Sequence, residues 1–202
     1  MAKVKLSFGK VPKAKLPTGF GEFTIYGFRD PTSGEEAVAL TVGKRGPRTV
    51  PLVRIHSQCL TGDTLASSRC DCGEQLHAAM RLISESGCGI LVYQQQEGRG
   101  IGLINKLLAY ELQDEGVDTV EANRQLGFEA DEREYAFCAE ILKYFEVRKV
   151  RLLSNNPHKV SELERHGVKV LARLALEIPP LPSTLRYLRT KKEKLGHLLS
   201  KV

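Results

Sequence analysis

The stretch GCGILVYQQQEGRGIGLINKLLAYELQDEG, residues 87–116, decides the fold class. Its opening, GCGILVYQQQ, is a short apolar run between glycines and reads as a buried strand. Its second half, GLINKLLAYELQDEG, carries apolar residues at helical spacing and closes on Gly116. Between the two, Gly98, Gly100 and Gly102 alternate with Arg99 and Ile101. A strand that passes through a glycine turn into a helix is the building unit of an α/β protein.

The same unit recurs on either side. EQLHAAMRLISESG, residues 74–87, has helical spacing and stops at Gly87. Downstream, EYAFCAEILKYFEV (134–147) reads as a helix, VRKVRLLSN (147–155) as a strand, HKVSELERHG (158–167) as a helix opened by Pro157, and VKVLARL (168–174) as a last strand. Toward the N-terminus the pattern changes. GEFTIYGFRD (21–30), EEAVALTVGK (35–44) and RTVPLVRIHS (48–57) are β-branched or aromatic runs separated by turn residues. The chain is therefore expected to be α+β, a mixed α/β fold with a strand-rich, more antiparallel N-terminal portion, forming one compact domain over 1–202. The basic stretch 184–202 is set apart as a candidate peripheral helix with a solvated face.

With 202 residues, 42% hydrophobic and 27% charged, the composition is that of an ordinary globular protein. No apolar run reaches the length of a membrane span, and the start, MAKVKLSFGKVPKAKLP, has no apolar signal region, so a cytoplasmic protein with no membrane partner is expected. Five cysteines, an odd number, argue against a closed disulfide framework. Cys88 and Cys138 lie alone in apolar surroundings and read as small buried hydrophobes. A net charge of +6 suits a polyanionic ligand, whether nucleotide or nucleic acid.

Four segments could carry chemistry. In RIHSQCLTGDTLASSRCDCGEQL (54–76), Cys70 and Cys72 are one residue apart and Cys59 returns over a ten-residue loop. Three thiolates are three ligands of a tetrahedral zinc; His56 and His77 are local candidates for a fourth. If neither His binds, the fourth position takes water, whose pKa falls from about 15.7 to about 7. Spacing leaves structural and catalytic zinc both open. In QQQEGRGIGLINK (94–106), glycines let backbone N–H groups approach an anion, Arg99 can fork onto phosphate oxygens, and Glu97 can place a divalent cation or bond a base. A ligand-free turn is the ordinary role of such a run. RLLSNNPHK (151–159) brings Ser154 and Lys159 to a strand–helix junction that suits phosphate or is merely a well-capped helix start. In ANRQLGFEADEREY (122–135), the spacing of Asp131 and Arg133 alone signals nothing beyond a solvated helix start.

Taken together and in order, these segments resemble the GTP cyclohydrolase II family, with QEGRGIGLINKLLAYELQDEGVDTVEAN, QLGFEADERE, LLSNNPHKV and TKKEKLGHLL as matching stretches. The resemblance covers most of residues 50–160, with a weaker match over KLPTGFGEF, and implies the stand-alone form of the enzyme. It implies zinc ligands at Cys59, Cys70 and Cys72, one ion per subunit, and magnesium with the triphosphate. It implies nucleotide contacts from Arg54, Ile55, His56, Ser57, Gln58, Gln75, Glu97, Gly98, Arg99, Thr119, Ser154 and Lys159. It gives Tyr110, Asp131 and Arg133 catalytic parts, Asp131 as proton acceptor and Arg133 as nucleophile, although a protonated guanidinium is a poor nucleophile and suits electrostatic stabilisation better. The reaction implied is hydrolysis of GTP with opening of the guanine imidazole ring and loss of formate and pyrophosphate, in a homodimer, with GTP and no nucleic acid as partner. The sequence departs from the family pattern at Gln58, where Glu is common, at Arg124, where His is frequent, at Ser154, where Thr is usual, and in LPSTLRYLRTKKEK, which lacks asparagines before its Tyr-Leu pair. A GTP-binding paralogue with partial activity and a zinc-stabilised nucleic-acid-binding protein are the competing readings.

Overall fold

The computed structural model describes residues 8–202, so the first residues of the stretch read for a targeting signal lie outside the described residues. Seven strands form one sheet: β1 (Lys13–Thr18), β2 (Gly21–Arg29), β3 (Glu36–Val42), β4 (Leu52–Ser57), β5 (Gly89–Gln94), β6 (Lys149–Leu153) and β7 (Lys169–Leu174). Their order across the sheet is β1-β2-β3-β5-β4-β6-β7. The first three and β5 pair antiparallel, whereas β5, β4, β6 and β7 run parallel. The mixed sheet and its antiparallel N-terminal portion agree with the sequence reading; β1 is an element that reading did not contain.

Burial follows position in the sheet. The central strands β4 and β5 are covered on both faces and read as nearly continuous apolar runs, with Val53, Ile55, Ile90 and Val92 fully buried. Edge strand β1 carries exposed Lys13 and Lys15 and a proline, residues that discourage pairing with a further strand. The α-helices of the described residues are α1 (Leu60–Asp63), α2 (Cys72–Glu85), α3 (Leu103–Asp114), α4 (Thr119–Gln125), α5 (Ala136–Tyr144), α6 (Pro157–Arg165) and α7 (Leu185–Leu195).

Ala79 and Ile83 of α2 pack on one face of the sheet against Phe23, Leu40, Leu52 and Leu91. Residues of α5 and α6, among them Ile141, Leu142 and Leu163, pack with Val53, Ile55, Ile90, Val92 and Leu152 on the other. The chain leaves β4 for β5 on one side and later places β6 on the other. In such sheets the crevice beyond the C-terminal ends of the diverging strands is where ligands sit.

Cys138 is buried, as its surroundings imply, and its thiol donates to Gln94 Oε1 at 2.9 Å. Cys88 is only half-buried and donates to the Lys44 carbonyl, because it lies at the loop before β5 and not inside it.

Candidate functional site

Beyond the C-terminal ends of β4, β5 and β6 lies a cavity of about 400 Å³. Its floor is built by residues at the ends of those strands: His56 and Ser57 closing β4 with Gln58 after it, Gln96 and Glu97 after β5, and Ser154, Asn155 and Asn156 after β6. Short helices supply the walls.

At one end are the three cysteines. Cys59 precedes α1, and Cys72 opens α2. The sulfurs of Cys59, Cys70 and Cys72 all lie within 4.8 Å of one another, with Cys59 and Cys70 3.6 Å apart. That spacing is far from a disulfide bond of about 2.05 Å. It is close to the roughly 3.8 Å between sulfurs on a tetrahedral zinc with bonds of about 2.3 Å. Hydrogen bonds from Cys70 and Cys72, with help from the Lys106 charge, hold the Cys59 thiol far below its ordinary range. The same contact pushes Cys70 up to about 11, and Cys72 is also raised. Three sulfurs thus converge on one point, a donor set that zinc fits.

Two glycines allow the approach. A Cβ on Gly62 would lie 2.8 Å from Cys70 Sγ, and one on Gly73 would lie 2.2 Å from the Gly62 carbonyl oxygen. Helices α1 and α2 touch backbone to backbone only because neither residue has a side chain.

The histidines considered as a fourth ligand are engaged elsewhere. His56 donates from Nε2 to Asp63 at 3.0 Å, and Asp63 also accepts from the Cys59 amide and the Tyr93 hydroxyl, both at 2.9 Å. Burial, then the Arg54 and Lys159 charges, keep His56 below its usual range despite Asp63. His77 stacks on Phe20, with ring centroids 5.0 Å apart.

Glu97 is buried and its carboxylate is fully used. Oε1 accepts from Lys106 Nζ at 2.7 Å and from the Gly98 amide at 3.0 Å, while Oε2 accepts from the Leu60 amide at 2.7 Å. Lys106 Nζ further reaches Thr61 Oγ1 at 3.0 Å and Cys59 Sγ at 3.3 Å. Burial opposes the lysine's charge, but Glu97 and Cys59 outweigh it and hold the ammonium above the ordinary range. Glu97 therefore braces the loops around the cysteines and has no lone carboxylate oxygen to place a divalent cation. Tyr110 reaches the same corner, 3.2 Å from Thr61 Oγ1, and burial raises its hydroxyl, so it is protonated at neutral pH.

Cations also gather around the cavity. Arg54 is 6% exposed and bonds Gln75 Oε1 at 2.7 Å and the Leu153 carbonyl at 3.2 Å. Lys159 is buried on α6 and donates to the Ile55 carbonyl at 2.9 Å; burial, then Arg54 and Arg133, pull it well below the usual lysine range. Arg133 forks onto Asp131, with Nε 2.7 Å from Oδ1, and its NH1 lies 3.5 Å from Ser57 Oγ. Arg99 differs from the others: both terminal nitrogens of its guanidinium are buried without a hydrogen-bond partner. It sits in left-handed backbone at φ 63° between Gly98 and Gly100, themselves at 62° and 98°. A non-glycine residue held there marks a segment fixed by its surroundings, here by the Glu132 amide bonded to the Arg99 carbonyl at 3.0 Å.

Of the residues implied by the sequence, Arg54, His56, Ser57, Gln58, Cys59, Cys70, Cys72, Gln75, Glu97, Gly98, Arg99, Tyr110, Thr119, Arg133, Ser154 and Lys159 line the one cavity. Ile55 turns its side chain into the core and contributes only its carbonyl. Asp131 stands behind Arg133. Lys106, Tyr187, Lys191 and His197 also line the cavity and were not singled out in the sequence. The spacing of Lys106 from Tyr110, one helical turn, was the available signal for the first.

Fold and site together define an α/β protein with a three-cysteine metal-competent centre at one end of an anion-binding cavity. The family model described as GTP cyclohydrolase II matches residues 9–175. A protein of Buchnera aphidicola named GTP cyclohydrolase-2 is 50% identical over 190 residues, covering 94% of this chain and 98% of its own. Proteins of the same name from Shigella boydii and Escherichia coli are 53% identical over 192 residues, covering 95% of this chain and 98% of theirs. The chain belongs to the GTP cyclohydrolase II family.

Proposed function

We propose that this cavity carries out the reaction of that family: hydrolysis of GTP, opening the guanine imidazole ring with release of formate and pyrophosphate to give 2,5-diamino-6-ribosylamino-4(3H)-pyrimidinone 5′-phosphate, the first step of riboflavin biosynthesis. The single observation that carries the reading is the joining, in one cavity, of the three-cysteine cluster with Arg99, whose two terminal guanidinium nitrogens are buried without a hydrogen-bond partner among the described residues.

Cys59, Cys70 and Cys72 would hold one zinc ion per subunit. Bound there, zinc would supply a Lewis acid able to bring a water's pKa to about 7. Tyr110, protonated and beside the cysteines, donates a proton to the ring nitrogen as it is released. Arg54, Arg99 and Lys159, with Ser154, Thr119 and the Gly98 amide, take the phosphates, accompanied by magnesium. Burial works against the charge of Arg133, but Tyr135 and the Asp131 carboxylate outweigh it and hold the guanidinium above the ordinary arginine range. That pairing favours electrostatic stabilisation at the α-phosphate over nucleophilic attack. Convergence of the cations on a cavity, and not along an outer face, favours a nucleotide over nucleic acid.

A homodimer is the assembly in keeping with the family. Ile104, Leu107 and Leu108 form an exposed apolar face of α3 that a second copy would cover; Leu107→Glu then yields a monomer in light-scattering chromatography. A cytoplasmic location is supported by free cysteines throughout the described residues, none of whose helices is long and apolar enough to cross a membrane.

The test is incubation with GTP, zinc and magnesium, with formate, pyrophosphate and the diaminopyrimidine measured together. All three appear in equal amounts. Absence of turnover by metal-replete protein would overturn the reading, and pyrophosphate without formate would favour a partial enzyme.

A further inference from the structure

The family match ends at residue 175, yet the cavity is closed by residues after it. Tyr187 and Lys191 of α7 and His197 beyond it line the cavity. The segment is tied to three different parts of the site. Lys191 Nζ lies 3.1 Å from Asp71, between Cys70 and Cys72; Lys194 lies 2.6 Å from Asp118, beside Thr119; and the Leu198 amide bonds the Asn155 carbonyl at 2.8 Å, beside Ser154.

One of these contacts, and a further one from Tyr187, reach the phosphate-facing cations. The Lys191–Asp71 pair continues through Gln75, whose amide donates to Asp71 and whose Oε1 accepts from Arg54. The face of Tyr187 lies 6.0 Å from the Arg99 guanidinium and 4.2 Å from Lys191 Nζ. An aromatic face attracts a guanidinium while leaving its N–H edges free for an anion. Those edges are the ones without partners.

We propose that α7 and the tail to Leu199 form a working wall of the GTP site, with Tyr187 positioning Arg99 and Lys191 positioning Arg54 for the triphosphate. This rests on the GTP reading above. The wall contributes to holding the nucleotide and not to the chemistry at the guanine ring, because Tyr187 and Lys191 act through the two arginines.

Kinetics with GTP and calorimetry with the α,β-methylene analogue of GTP test it, on metal-replete protein. Wild type binds the analogue if the GTP reading holds; failure to bind sinks that reading and not only this inference. Tyr187→Leu and Lys191→Met raise KM and Kd about tenfold, with kcat changed less than about threefold and metal content unchanged. Tyr187→Phe, which keeps the ring, and Lys191→Arg, which keeps the ion pair, restore near wild-type values. Wild-type Kd in both disruptive variants would overturn the proposal. Should those variants not fold, the wild-type protein decides: the analogue slows tryptic cleavage at Lys191, Lys192 and Lys194, and unchanged cleavage at saturating analogue refutes the wall.

Discussion

Lys106 and Glu97 form an ion pair 2.7 Å across, with both side chains more than nine-tenths buried. The pair lies between the loop of Arg99 and the helix that follows Cys59, since Glu97 also accepts from the Leu60 amide. Removing one partner of such a pair leaves a buried charge without compensation, at a cost of about 3–5 kcal/mol. Lys106→Met therefore lowers the urea midpoint strongly, and Glu97→Gln added to it recovers most of the loss. Equal destabilisation of the single and double variants would show that the pair is not the source.

Gly62 lies in a helical segment, where alanine is ordinarily better than glycine by about 1 kcal/mol. Here the new methyl would stand 2.8 Å from Cys70 Sγ, 3.1 Å from Cys72 Cβ and 3.4 Å from Cys59 Sγ. Crowding wins over propensity because the first two of these contacts must give at once. Gly62→Ala binds zinc at least about tenfold more weakly, as measured by chelator competition, a loss of about 1.4 kcal/mol. Gly19→Ala, with open space around it, loads normally.

Lys159 gives the nucleotide affinity a pH dependence. Its ammonium is disfavoured in the free protein by burial and by Arg54 and Arg133, so its pKa lies well below the usual 10.5. A bound triphosphate restores the charge, and the complex then holds more protons than the free protein. Affinity therefore falls as pH rises, across the window between the depressed free value and the restored one. Above pH about 7.5, where phosphate with a second pKa near 6 is already ionised, calorimetry in buffers of different ionisation enthalpy detects proton uptake. Lys159→Met abolishes that component; an unchanged uptake would assign it elsewhere.

The alternation of strands and helices was legible because the central elements are long and strongly patterned, as in GILVYQ of β5 and the helix after it. Edge strand β1 was not, since KAKLPT is polar and carries a proline, and its pairing is imposed by β2. The cysteine ligand set was legible from spacing, but the open or closed character of the site was not: His56 is turned away by Asp63 and Tyr93, partners 7 and 37 residues distant. The bracing of Glu97 was not legible for the same reason, because Lys106 and Leu60 reach it only through tertiary packing. In α7 the basic run concealed Lys191, whose partner Asp71 lies 120 residues earlier.

Arg99 separates binding from stability. Its left-handed backbone, φ 63° and ψ 35°, costs a side-chain-bearing residue about 1–2 kcal/mol. Glycine relieves that strain but loses about 0.5–1 kcal/mol in chain entropy, so Arg99→Gly leaves the melting temperature within a few degrees of wild type. The same change removes the fork with two unpartnered nitrogens and weakens GTP binding by at least about tenfold, since a charge-assisted bond contributes about 1.5–3 kcal/mol. Arg99→Lys retains the strain and the charge but not the fork, and falls between the two in affinity. Thermal melts and KM measured side by side check the separation. A large stability loss in Arg99→Gly would mean that the arginine is there to hold the loop, and unchanged KM would remove it from the phosphate site.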